Sequence, residues 1–194
     1  MMESKADRRV QRTRQLLHKA LIELVQEKGF DAITIQDITE RANLGRTTFY
    51  LHYPGKEELM LDHHATVAEM MGLKQLTRTE LLADEPPPGL VRLLLVAAED
   101  RKFYDAIMKA RTAELILRGI RAQMMTNLEA TLVAAFPGVE PTMPLALLKP
   151  YLVNAQLAFI DWWVRNEAPY TPEQVATTLH QLQRSIIRDV YRLG

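Results

Sequence analysis

The sequence predicts an all-α protein, and three observations carry that prediction. Apolar residues recur at spacings of three and four along almost the whole chain, no segment sustains the alternation of a half-buried strand, and good helix formers (Leu, Ala, Glu, Arg, Gln) dominate the composition. The expected arrangement is an N-terminal three-helix domain, residues 1–55, followed by a six-helix domain, residues 56–194.

Leu17, Leu21, Leu24 and Val25 line one face of a first helix over about 7–28. Gly29 is placed to end it, because glycine adopts the left-handed conformation of a C-terminal cap without strain. Thr34 with Asp37 three residues later reads as a capping box opening a short helix, about 35–42. Asn43-Leu44-Gly45 supplies a tight turn, a second short helix covers about 46–52, and Pro54 stops it. A longer helix starts near Lys56 and runs to about Leu76, with Glu57 and Glu58 where the positive end of the helix dipole favours acids. The run Asp84-Glu85-Pro86-Pro87-Pro88-Gly89 is the clearest break in the second half. Helical spacing resumes over about 90–100, 102–109 and 112–135, and Pro137-Gly138 to Pro144 forms another loop. The last helices cover about 145–166 and 172–192, parted by Glu167-Ala168-Pro169-Tyr170. That makes nine helices.

Composition narrows the function classes. No apolar run reaches the ~18 residues of a membrane span. Lys5, Arg8, Arg9, Arg12, Arg14 and Lys19 near the start have no apolar core behind them, which does not read as a signal peptide. The absence of cysteine excludes disulfides, thiolate zinc sites and cysteine nucleophiles. A cytoplasmic protein without cofactor or membrane partner is expected. Net charge is zero, but residues 1–56 hold ten Lys/Arg against seven Asp/Glu, and no acid lies between Arg41 and Lys56. A chain that meets phosphate with one end needs only that end to be basic.

Two short helices joined by a three- to four-residue turn are the geometry of a helix-turn-helix, whose second helix enters the major groove of DNA. Helix 46–52 has the side chains for it. Arg46, Thr47, Thr48, Tyr50, His52 and Tyr53 are basic or hydrogen-bonding, and only Phe49 and Leu51 are left as apolar anchors. Arg46 can donate twice to a guanine edge, and the threonines can reach bases or phosphate. Lys56 and the amides opening the next helix make an anion site. Residues 34–59, TIQDITERANLGRTTFYLHYPGKEEL, closely resemble the DNA-binding signature of the tetracycline-repressor (TetR) family at Thr34, Ile38, Ala42, Thr48, Phe49, Tyr50, His52, Tyr53, Lys56 and Leu59. Gly29-Phe30 and Ile33-Thr34 extend the match to about residues 8–60. Thr39 departs from the family's usual alanine, and Thr47 from its frequent glycine or serine. The resemblance implies that Thr34, Arg46, Thr47, Thr48, Tyr50, His52, Tyr53 and Lys56 face double-stranded DNA, with the arm Arg8, Arg9, Arg12 and Arg14 near the backbone. It further implies a homodimeric repressor on a palindromic operator, released by a small-molecule effector.

In the C-terminal half, Leu148, Leu152, Ala155, Phe159 and Trp162 form one seam and Val175, Leu179, Leu182 and Ile186 another. Two such seams on adjacent helices can bury each other within one protomer; in a chain this short a second buried face reads as a four-helix dimer interface. Met70, Met71, Tyr104, Met108, Met124, Met125, Phe159 and Trp163 are the candidates for an effector pocket, since methionine and aromatic residues make adaptable linings.

Two other classes compete. An enzyme or metal site would have to use adjacent His63 and His64, which on a helix point about 100° apart and do not converge; no metal and no catalytic residues are expected. A TetR-like adaptor that binds a protein partner would want exposed apolar anchors on the reading helix, where the sequence offers mostly polar groups.

Overall fold

The structure, a computed structural model, describes residues 5–73, 75–166 and 169–193. Every regular element among them is a helix: α1 (Lys5–Lys28), α2 (Ile35–Arg41), α3 (Arg46–Tyr50), α4 (Lys56–Met70), α5 (Arg78–Leu82), α6 (Pro88–Glu99), α7 (Arg101–Met108), α8 (Ala113–Ala135), α9 (Leu145–Arg165) and α10 (Pro172–Val190). The expected all-α class therefore holds, with ten helices among the described residues rather than nine. α4 stops short of Leu76 because Gly72 takes φ +71° and Leu73 N donates back to Ala68 O at 2.9 Å, a left-handed cap that closes the helix. The stretch beyond contains α5, opened by a capping box between Thr77 and Glu80 that the continuous helical spacing masks in the sequence. Of the expected break before α10, Glu167 and Ala168 lie outside the described residues.

The described residues divide into two compact units: one joins the chain up to His64 with Lys102–Arg118, the other joins Ala65–Arg101 with the chain from Gly119 on. In the first, α1 packs on α2 and α2 on α3. Leu17, Leu21, Phe30, Ile38, Phe49 and Leu59 are fully buried there, each contributing about 1.5–3 kcal/mol of apolar burial. The two expected caps are present. Gly29 sits at φ +74° with its N–H on Val25 O, and Thr34 and Asp37 exchange both capping-box bonds. The later segment is tied in by Arg111 N, which donates to Asp31 Oδ2 at 2.8 Å.

In the second unit α10 packs on α6 and α5. A core of Leu132, Phe136, Leu148, Leu152, Ile187 and Tyr191 lies among α8, α9 and α10, with Phe136 stacked on Tyr191 at 4.1 Å. His180 and Arg184 both donate to Ala83 O at 2.8 Å and so pin the chain leaving α5. No helix among the described residues is long and apolar enough to cross a membrane.

Candidate nucleic-acid interface

The turn between α2 and α3 rests on Asn43, which adopts φ +53°, a conformation asparagine tolerates better than most side chains. Leu44 N returns to Thr39 O at 2.9 Å and closes it. Thr39 itself is buried, and a buried hydroxyl needs a partner. It donates to Ile35 O and Gln36 O, both at 3.0 Å, so the departure from alanine leaves no unpaired polar group.

Helical geometry then sorts the side chains of α3. Phe49 is fully buried and Tyr53, four residues on, follows it inward. Arg46, Thr47 and Tyr50 are exposed, Thr48 and His52 half-buried. Arg46 Nη2 donates to Gln36 Oε1 at 3.3 Å, which aims the guanidinium along the start of α2. Thr34 is exposed, but its hydroxyl is committed to Asp37. Lys28, the first influence, and then Thr34 hold that carboxyl well below the usual range.

Two of the expected DNA-facing residues turn inward, and both have a physical reason. Tyr53 is 6% exposed, and its hydroxyl donates to Asp62 Oδ2 while accepting from Arg14 Nε at 3.1 Å. Burial, followed by the Asp62 bond, pushes its pKa up. Lys56 reaches back to the loop after α1, donating to Phe30 O and Ile33 O at 2.8 Å and lying over the Phe30 ring at 4.7 Å. Each therefore carries a structural bond within this unit. Leu51 departs in the opposite direction: expected as an anchor, it is 78% exposed. Arg14, read as part of a basic arm, is likewise engaged: it pairs with Asp62, which also lies 2.9 Å from His18 Nε2. Sequence reasoning missed Gln36, misplaced Leu51 and gave Asp62 no part in this site; a carboxylate six residues past the start of α4 carries no local sign of its distant partners.

His63 stands edge-on to His18 with ring centroids 5.3 Å apart. Burial, then the neighbouring His18 and His64, lowers its pKa from 6.5 to about 4; burial also lowers that of His18. The unfolded chain therefore binds protons first as the pH falls, so stability present at pH 7 is lost between pH 6.5 and 4. Acidification from pH 7 to 5 is expected to cost on the order of 1–2 kcal/mol, or about 3–6 °C in Tm, through His63. Scanning calorimetry should show a smaller acid shift in His63→Leu; an unchanged shift would contradict the assignment. Among the described residues, no group of three His, Asp or Glu side chains could hold a metal ion.

The residues expected to line an effector pocket fall in both units. Tyr104 and Met108 belong to the first unit and the other six to the second. Met70 is 76% exposed at the end of α4, too open to line a cavity. Trp163 is fully buried with its indole N–H donating to Tyr170 O at 2.9 Å, which makes it a core residue. Met71, Tyr104, Met108, Met124, Met125 and Phe159 are half-buried. An open groove of about 500 Å³ lies elsewhere, lined by Leu24, Glu27, Lys28, Asp37, Glu40 and Arg41.

The expected dimer seams split in the same manner. Leu148, Leu152, Val175 and Leu179 are buried within the protomer and have no face left for a partner. Phe159 and Ile186 are half-buried, and Ala155, Trp162 and Leu182 are exposed. The outer stripe of α9 runs instead through Leu147, Tyr151, Ala155, Ala158 and Trp162, one register round from the expected seam.

Known proteins share both halves of this chain. Residues 17–62 match the family model described as "Bacterial regulatory proteins, tetR family", and residues 84–185, more than half of the chain, match one described as "Transcriptional regulator C-terminal region". The uncharacterised HTH-type transcriptional regulator YxbF of Bacillus subtilis is 51% identical over 59 residues, 30% of this chain and 16% of that protein. The chain matches 35% and 34% of the lengths of two further curated relatives, so all three matches cover well under half of the relative. A TetR transcriptional regulator from Streptococcus agalactiae has a similar fold, with TM-score 0.52 and 24% identity over 92% of this chain and 97% of that one. So has the transcriptional regulator FadR from Bacillus subtilis, solved in complex with stearoyl-CoA, with TM-score 0.53 and 14% identity over 89% of this chain and 98% of that one. With a helix-turn-helix in α2 and α3, a satisfied scaffold beneath it and both family models matched in order, the chain belongs to the tetR family of bacterial regulatory proteins.

Proposed function

We propose that the chain is a cytoplasmic, homodimeric transcriptional repressor that binds a palindromic operator in double-stranded DNA and leaves it when a small-molecule effector binds. The observation that carries this reading is the outer face of the helix-turn-helix. Arg46, Thr47 and Tyr50 stand exposed, with Thr48 and His52 beside them, in a stretch without acids from Arg41 to Lys56. Donors without a carboxylate among them suit phosphate oxygens and base edges, and Arg46 can bond a guanine bidentately. An adaptor surface is not favoured, because Leu51 is the one large aliphatic side chain exposed on this helix. Residues 1–55 would act as the DNA-binding domain and residues 56–194 as the effector-binding and dimerisation domain.

Dimerisation is supported by the stripe on α9, where Leu147 is 66%, Tyr151 63% and Trp162 45% exposed, with Leu182 on α10 at 56%. Large apolar groups in a line call for a partner surface, and a two-fold dimer gives the two reading helices their repeat along DNA. Trp162→Glu is expected to shift the protein from dimer to monomer in light scattering and to weaken operator binding at least tenfold, since a carboxylate in an apolar stripe resists being taken out of water against a partner. A dimer that survives the change would move the interface elsewhere. The effector reading is supported by the fold shared with FadR, a regulator solved with stearoyl-CoA.

Footprinting tests the whole reading, using DNA from upstream of the chain's own gene and the wild-type protein. Protection of a two-fold symmetric site is the expected result. Failure to protect any site, there or in a randomised duplex pool, would overturn it.

A further inference from the structure

We infer that Leu51 reads a thymine, through apolar contact with the 5-methyl group in the major groove, and so sets part of the operator sequence. This rests on the DNA-binding reading above and goes beyond it by naming one base and the atom recognised. Leu51 follows α3 as its C-cap, with helical backbone at φ −70° and ψ −20°. It thus continues the helix face of Thr47, four residues earlier, and adjoins Tyr50, which is 58% exposed. The inward face of the same helix is already filled by Phe49 and Tyr53. Leucine at 78% exposure contributes nothing to that core.

A single exposed leucine is ordinary on a protein surface. This one stands in the acid-free stretch from Arg41 to Lys56, within the outward row that also presents Thr47 and Tyr50. No carboxylate in this stretch opposes duplex DNA, and Arg46 supplies an exposed cation beside the row. In the major groove thymine is the base that offers an apolar group, its methyl, and an aliphatic side chain matches it where a hydrogen-bonding side chain does not. Arg46 and Leu51 would then divide the reading between a guanine edge and a thymine methyl.

Deoxyuridine differs from thymidine by that methyl alone, which makes the test direct. The operator is first selected from a randomised duplex pool with the full chain. Dissociation constants are then measured for wild type and Leu51→Ala, on the operator and on versions in which each thymine in turn is deoxyuridine. Wild type is expected to lose about four-fold per half-site at one symmetry-related thymine, the ratio expected for one buried methyl. Leu51→Ala should bind the thymine operator several-fold more weakly and no longer distinguish it from the deoxyuridine version. Its melting temperature should equal that of wild type, which separates lost contact from lost fold. If the methyl matters equally to both proteins, or matters nowhere to wild type, the Leu51 assignment fails while the DNA reading stands. If wild type selects no duplex, both fail.

Discussion

Replacing Asp62 by alanine is expected to lower stability by about 3 kcal/mol and to abolish operator binding, because one carboxylate serves three partners. Asp62 accepts from Arg14 Nε at 3.1 Å and from Tyr53, and lies 2.9 Å from His18 Nε2. These groups come from α1, the end of the helix-turn-helix and α4, so the carboxylate fixes the reading head to its neighbours on both sides. Burial works to raise the Asp62 pKa, but the hydrogen bonds from Tyr53 and Arg14 outweigh it and hold the carboxyl ionised below its ordinary value. The same pairing raises Arg14. Alanine leaves the Tyr53 hydroxyl with only the longer 3.3 Å contact to His18 Nε2 and the Arg14 cation without its counter-charge, although Arg14 retains some access to water. Urea unfolding measures the loss, and Asp62→Asn, which keeps one acceptor, should fall between. A loss below about 0.5 kcal/mol, the size of an ordinary surface change, would contradict the network.

Gly89→Ala is expected to be comparably damaging for a steric reason. A Cβ built on Gly89 would lie 1.7 Å from the Met71 carbonyl oxygen and 2.8 Å from its carbon. Both are backbone atoms next to the capping residue Gly72, so neither can rotate away as a side chain would. The start of α6 must shift from the end of α4, at a cost of about 3 kcal/mol. Thermal unfolding should show a fall of about 6–12 °C. An unchanged Tm would mean that the two segments do not approach this closely.

These two residues also mark what the sequence conceals. Local signals are legible because their causes are local: the Thr34–Asp37 capping box, Gly29 as a cap and the Asn43-Leu44-Gly45 turn each depend on two or three adjacent residues. α5 carries the same kind of signal in Thr77 and Glu80, hidden by the helical spacing that runs through Leu76. Inward or outward direction is another matter. Tyr53 and Lys56 have the chemistry of phosphate contacts, and what turns them inward is Asp62 and the carbonyls of Phe30 and Ile33, nine to twenty-six residues away. On α9 the apolar spacing fits two registers, Leu148-Leu152 and Leu147-Tyr151. Periodicity cannot say which of them faces the protomer's own core, because both rows are apolar.

The central claim, that the outer face of α3 binds DNA, is tested most directly by titrating the operator at two salt concentrations with wild type, Arg46→Ala and Tyr50→Ala. Arg46→Ala should cost ~1–3 kcal/mol in operator affinity, as expected for a bidentate guanine contact. Neither substitution should change the melting temperature, since both side chains are exposed. Wild-type affinity should fall steeply as salt rises, through release of counter-ions from the phosphates. Binding that ignores salt, or that both variants match, would contradict the account.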